Sequence, residues 1–217
     1  MKLRKDYFLD ESMILFQDED HFHFNTDTKL LAKFMRLKKD ETILDIGTNN
    51  GALLLAADQE PVKELIGVEI LKESSQVAEY NAKQFFKHPY KIMNQSIQEV
   101  ELPLVDVIVC NPPFFKKEET NPNVKITMRQ LGRIEENLTL EDLCFHANRL
   151  LKSNGRFYFV HRLNRLNDIF FNLHQNNFSV RNFQIAYDHR DHLAKSVLIE
   201  AIKESHCDCI CKEALYI

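Results

Sequence analysis

The sequence predicts an α/β fold in which helices cover both faces of a seven-stranded, mainly parallel sheet that ends in an antiparallel hairpin. Three observations carry this expectation. Short β-branched apolar runs alternate with helix-period segments, the order repeats as βαβαβ before closing on two long strand-like stretches, and three of only five glycines (Gly47, Gly51 and Gly67) fall at or beside the first two runs. In a chain so poor in glycine, each one points to a backbone position that other residues hold badly.

Taken in order, Met1 to about His23 reads as a short polar N-terminal arm. Thr26 is placed as the N-cap of a helix carrying Leu30, Leu31, Phe34 and Leu37 on one face and Lys29, Lys33 and Arg36 on the other. Thr42 to Ile46 is a short strand, followed by the turn Gly47-Thr48-Asn49-Asn50-Gly51 and the helical run ALLLAADQ. The beat recurs with Glu64 to Ile70 as strand, Lys72 to Phe86 as helix, and Tyr90 to Met93 and Val105 to Cys110 as strands. Lys116 to Asn137 is a long connection containing Pro122, which suits a substrate-binding element better than a structureless link. Thr139 opens the clearest helix, with Asp142 completing a capping box, Leu140, Leu143, Cys144, Ala147, Leu150 and Leu151 forming one stripe, and Gly155 expected as its C′ residue. Arg156 to His161 (strand), Asn164 to Gln175 (helix), and Phe178 to Tyr187 and Lys195 to Ile202 (paired strands) complete the pattern.

The 217 residues, 44% apolar and 28% charged, suit one domain over residues 24–217 behind an arm over 1–23, and exclude wholesale disorder. No apolar run approaches the roughly 18 residues of a membrane helix, and MKLRKDYFLDES lacks the apolar stretch of an export signal, so a cytoplasmic location is expected. Five cysteines, an odd number, fit a reducing compartment. A net charge of -4 argues against coating nucleic acid indiscriminately and leaves room for a local basic patch.

In an open parallel sheet, ligands bind beyond the carboxyl ends of the strands, so the loops there carry the candidates. The first is Asp45 through Gly51, whose glycines allow a sharp turn close to a ligand in front of a helix N-terminus. It is neither GxGxxG nor a GK[ST] phosphate loop, so an adenosyl ligand fits better than a hydrolysed nucleoside triphosphate. The second is Glu69, a strand-end carboxylate able to accept both hydroxyl protons of a ribose. The third and most specific is the strand ending in Cys110-Asn111-Pro112-Pro113-Phe114. Two successive prolines have fixed dihedrals and donate no backbone hydrogen bond, so their carbonyls face outward as acceptors; Asn111 adds a side-chain acceptor and Phe114 a stacking face. That set suits a planar substrate bearing an NH2 group. Lys116 and Lys117 beside the motif, and Lys125, Arg129 and Arg133 after it, form a basic stretch suited to an anionic partner, whereas Lys2, Arg4 and Lys5 in the arm read first as solvated surface charge. The spacing of Cys207, Cys209 and Cys211 is not that of a zinc site; it reads as a terminal strand with small apolar side chains, and no metal is expected.

The order Asp45-x-Gly47-x-x-x-Gly51, then Glu69, then Asn111-Pro-Pro-Phe114 resembles the Rossmann-like class I S-adenosylmethionine-dependent methyltransferases, specifically the amino methyltransferases with an N-P-P-Y/F motif. Within these, FNTDTKLLAKF, NPPFFKK, RIEENLTLEDLCFHANRLLKSNGRFYFVHR and SVLIEAIK are similar to the bacterial adenine-N6 methyltransferases that modify valine tRNA beside its anticodon, over about residues 22–203. The resemblance implies S-adenosylmethionine as cofactor and adenine 37 of valine tRNA as target. It implies that Thr26, Asp27, Asp45, Gly47, Asn49, Gly51, Glu69, Ser96, Ile97 and Asn111 hold the cofactor. Asn111, Pro112, Pro113 and Phe114 are implied to be catalytic, and Phe114, Phe115, Lys116, Lys117, Arg129 and Arg133 to hold the RNA. Guanine-N2 rRNA and glutamine-N5 protein methyltransferases share the N-P-P-F motif and stand as the alternatives, together with an inert RNA-binding relative. Two positions depart from the family. Asn49 replaces a glycine, and asparagine tolerates the left-handed conformation better than most residues. Ser96 replaces a carboxylate that usually accepts from the adenine amino group, which predicts a weaker hold on the cofactor.

Overall fold

A computed structural model describes residues 2–19, 23–112 and 138–217. The strands are β1 (Leu3–Tyr7), β2 (Ile14–Asp18), β3 (Thr42–Ile46), β4 (Glu64–Glu69), β5 (Tyr90–Asn94), β6 (Val105–Cys110), β7 (Leu151–Arg162), β8 (Phe178–Tyr187), β9 (Ala194–Lys203), β10 (Ile210–Cys211) and β11 (Leu215–Tyr216). The helices are α1 (Thr26–Phe34), α2 (Ala52–Ala57), α3 (Lys72–Phe85), α4 (Leu140–Leu150) and α5 (Leu166–Gln175).

Seven long strands form the main sheet in the order β8-β9-β7-β6-β3-β4-β5. Pairings from β5 to β7 are parallel, and β9 runs antiparallel to both β7 and β8. Beyond the expected hairpin, the two-residue strands β10 and β11 lie parallel to β8 along the outer side of the sheet. Leu215 packs against the core there, and the Lys212 ammonium sits 4.8 Å from the Phe34 ring centroid on α1.

Side chains on a strand alternate between faces, and the core divides accordingly. Leu44, Ile46, Ile108, Cys110, Phe157 and Phe159 face α4 and α5, meeting Leu143, Ala147, Leu150, Ile169 and Leu173. Ile43, Val107, Val109, Tyr158 and Val160 face α1 and α2, meeting Leu31, Phe34, Leu53 and Leu54. Each fully buried aliphatic or phenyl group of this kind stabilises the fold by roughly 1.5–3 kcal/mol relative to exposure.

The segment read as an arm pairs as the antiparallel hairpin β1–β2 and sends Phe8 and Leu15 into the second core layer. Two sequence expectations are corrected. The N-cap of α1 is Asn25, not Thr26: Asn25 Oδ1 accepts from Thr28 N at 3.0 Å, and Thr28 Oγ1 accepts from Asn25 N at 3.3 Å, a complete capping box. Gly155 is not the C′ residue of α4 but lies inside β7, because the chain turns extended at Leu151 to pair with Val105; Asn154 takes the left-handed conformation instead, at φ 60°. Of the three cysteines read as a terminal strand, Cys211 lies in β10 and is exposed like Cys209, while Cys207 is half-buried.

Candidate active site

The carboxyl ends of β3, β4 and β6 meet at one edge of the sheet, and the turn after β3 is its tightest element. Gly47, Asn49 and Gly51 adopt φ of 71°, 51° and 81°, so three of five consecutive residues are left-handed. Asparagine at 49 thus serves the turn as a glycine would, at modest strain. The turn is held by Gly47 N and Thr48 N, which both donate to Val68 O at 2.9 and 3.0 Å, and by Gly51 N donating to Thr48 O at 2.8 Å.

Two carboxylates underlie this turn. Asp45 is buried; its Oδ2 accepts from Thr48 Oγ1 at 2.8 Å, while its Oδ1 has no hydrogen-bond partner among the described residues. Burial pushes its pKa up to about 8, against the lowering by Thr48 and with a further push from the Glu69 charge. Glu69 divides its oxygens between two backbone amides, Oε2 accepting from Asn49 N and Oε1 from Leu71 N, both at 2.9 Å.

The N-terminal hairpin is fastened to the same turn. Asn81 on α3 donates to Asn50 O and to Phe16 O, each at 2.8 Å, and accepts from Phe16 N at 2.8 Å. The buried Gln17 side chain accepts from Asn50 Nδ2 at 3.1 Å and from Phe24 N at 3.0 Å.

A cleft with about 340 Å³ of empty space opens beside Glu69, lined by Ile46, Gly47, Val68, Glu69, Ile70, Gln95, Ser96, Ile97 and Leu138. Arg149 on α4 steadies one wall, donating to Ile97 O at 2.9 Å and Val100 O at 2.8 Å. Ser96 Oγ is in contact with Gln98, donating to Oε1 at 3.3 Å and accepting from N at 3.4 Å. Apolar walls beside a strand-end carboxylate fit a ligand with a flat ring and vicinal hydroxyls.

At the end of β6, Pro112 is buried and Asn111 Nδ2 donates to Thr28 Oγ1 in the first turn of α1 at 2.9 Å. The neighbouring Asp27 accepts from Ser196 Oγ on β9, which draws the start of α1 over the sheet edge.

Of the residues expected at the site, Gly47, Glu69, Ser96 and Ile97 line the cleft, Asp45 is buried under the β3 turn, Asn49 and Gly51 shape that turn, and Asn111 follows the end of β6. Thr26 is exposed at the start of α1, and Asp27 is committed to β9. Pro113, Phe114, Phe115, Lys116, Lys117, Arg129 and Arg133 lie outside the described residues. Gln95, Leu138 and Thr28 were not expected. Gln95 and Leu138 belong to no motif; for Thr28 the signal was its place three residues after an asparagine. Among the described residues no group of three or more His, Cys, Asp or Glu is placed to hold a metal ion, and no helix is long and apolar enough to cross a membrane.

The chain is 29% identical over 174 residues to a tRNA1(Val) (adenine(37)-N6)-methyltransferase of Cytophaga hutchinsonii, covering 77% of this chain and 71% of the relative. It is 30% identical over 164 residues to a protein of that name from Proteus mirabilis, covering 73% and 64%. Among solved structures, the tRNA m1G37 methyltransferase of M. jannaschii superposes with a TM-score of 0.70 at 11% identity, over 94% of this chain and 55% of that one. A ribosomal protein L11 methylase from Lactobacillus delbrueckii superposes with a TM-score of 0.62 at 20% identity, over 87% and 84%. These two likenesses establish the fold. The model of the methyltransferase small domain matches residues 21–182, which include the β3 turn, Glu69 and the Asn-Pro-Pro-Phe segment. The match spans most of the sequence, and the chain belongs to the methyltransferase small domain family.

Proposed function

We propose that this protein transfers a methyl group from S-adenosylmethionine to the N6 amino group of an adenine in tRNA, with adenine 37 of valine tRNA as the specific target, and that it does so in the cytoplasm. The observation that carries the reading is the convergence of Asn111, at the end of β6, with the Glu69 cleft on one sheet edge, in a chain whose relatives bear that activity in their names.

Bound S-adenosylmethionine would supply an electrophilic methyl group. On this reading Glu69 accepts from the ribose hydroxyls, Ile97 and Leu138 flank the cofactor's adenine, and Ser96 and Gln95 meet its polar edge. Asp45 Oδ1 offers the buried acceptor for a donor at the cofactor's polar end. Asn111 Oδ1 and the Pro112 carbonyl accept the two protons of the target amine, which holds its nitrogen lone pair out of conjugation with the ring and aims it. The attack needs no base of shifted pKa, because orientation alone supplies roughly 7–11 kcal/mol in well-aligned reactions, and the surplus proton left on the methylated nitrogen passes to water once the carbon–sulfur bond has broken. A base in an anticodon loop must first leave its stack, at a cost of about a few kcal/mol, and the aromatic residues Phe114 and Phe115 are suited to replace that stacking.

The test is transfer of labelled methyl to total tRNA from a strain lacking this gene, followed by nucleoside analysis. N6-methyladenosine is expected. Label in rRNA guanine or in protein glutamine would replace the substrate assignment, and tRNA binding without label would favour an inert binder.

A further inference from the structure

The side-chain amide of Asn111 has two faces of opposite hydrogen-bonding character, and the proposed reaction uses only the oxygen. An asparagine at the end of a strand is free to turn either face toward substrate unless something fixes it. The hydroxyl of Thr28 is in contact with three groups: it donates to Asn25 Oδ1 at 3.1 Å, accepts from Asn25 N at 3.3 Å and accepts from Asn111 Nδ2 at 2.9 Å. A hydroxyl has one proton and two lone pairs, so all its capacity is used. Asn25 Oδ1 is itself fixed as an acceptor, because the backbone N–H of Thr28, which can only donate, points at it from 3.0 Å. The Thr28 proton therefore goes to Asn25, and what remains for Asn111 is a lone pair, which selects the NH2 face. Thr28 is buried at 5% exposure, so water does not readily take over an alternative arrangement.

We infer that Thr28 is a positioning residue: through the capping box of α1 it locks the Asn111 amide with its NH2 inward, leaving Oδ1 as the acceptor presented to the target amine. The inference rests on the proposed amine methylation and adds to it a residue on another element, 83 positions away, that sets the polarity of the acceptor.

The test compares wild type with Thr28→Val, which keeps branching and volume but removes the hydroxyl, and with Thr28→Ser, which restores it. Nitrogen-15 spectra of the Asn111 side-chain amide, recorded without any substrate, should show one Nδ2 proton shifted and protected from exchange in wild type and Thr28→Ser, with that signature lost in Thr28→Val. In methyl transfer, Thr28→Val should lower kcat about 10- to 100-fold, as misorientation at a reacting centre does. S-adenosylmethionine affinity by calorimetry should stay within about twofold, and Thr28→Ser should recover most of the rate. An Asn111 amide in wild type exchanging like that of a free asparagine, or kcat unchanged in Thr28→Val, would overturn the assignment, as would losses in Thr28→Val that Thr28→Ser does not restore. Because the spectra need no RNA, a wild-type protein that methylates none would defeat the proposed function while the amide signature still decides the tether.

Discussion

Asn81 and Phe16 pair as two residues of a β-ladder would, although one lies on α3 and the other on β2: the Asn81 side chain accepts from Phe16 N and donates to Phe16 O, each at 2.8 Å. The same amide donates to Asn50 O inside the β3 turn. Asn81→Ala removes all three bonds and leaves buried backbone groups without partners. We expect a loss of about 1–3 kcal/mol in denaturant melting and weaker S-adenosylmethionine binding through the loosened turn. Unchanged affinity in a destabilised protein would show that the hairpin does not support the turn.

Glu69 holds the Asn49 and Leu71 amides with separate oxygens, so Glu69→Gln must turn an NH2 group toward one of these donors. Cofactor affinity should fall by at least about tenfold, as charge-assisted bonds to the ribose and to one amide are lost together. Calorimetric titration measures this directly, and an unaltered affinity would move the ribose elsewhere.

The buried Asp45 gives the ligand-free protein a distinct pH dependence. Its pKa rises from 3.8 to about 8 on folding, so between those values the folded state binds more protons than the unfolded one. Stability contributed by protonated Asp45 is therefore full below about pH 4 and is lost progressively as pH rises to about 8. Asp45→Asn should flatten this part of the slope, melt higher than wild type near pH 8, and bind the cofactor less well. Parallel slopes for the two proteins would place the Asp45 proton elsewhere.

Asn111→Ala should cut methyl transfer by orders of magnitude while cofactor affinity stays nearly intact, because its oxygen is assigned to the target amine. Equal losses in both would make Asn111 a cofactor residue instead.

The strands β3, β6 and β8 were legible to the residue because β-branched runs bounded by turn residues leave little freedom, and Thr139 with Asp142 announced α4 equally well. Gly155 misled because α4 stops for a tertiary reason, the pairing of Leu151 with Val105, rather than for a local glycine signal. The site divides along the same line. The left-handed Asn49 and the strand-end Glu69 follow from local chemistry, and both were found. Thr28 is readable locally as a capping residue three positions after Asn25, but its bond to Asn111 is not, and the hairpin's place beside the turn depends on Asn81, 65 positions away.

The last strands along β8 bear on how the protein behaves in company. An uncovered outer strand presents a row of unpaired amides and carbonyls that can recruit another chain into the sheet. Here β10 and β11 occupy two stretches of that row, with Lys212 and Leu215 anchoring them over the core. The segment from Ile210 to Tyr216 thus acts as a selvage, finishing the border of the sheet with two-residue strands too short to serve as a long template for aggregation.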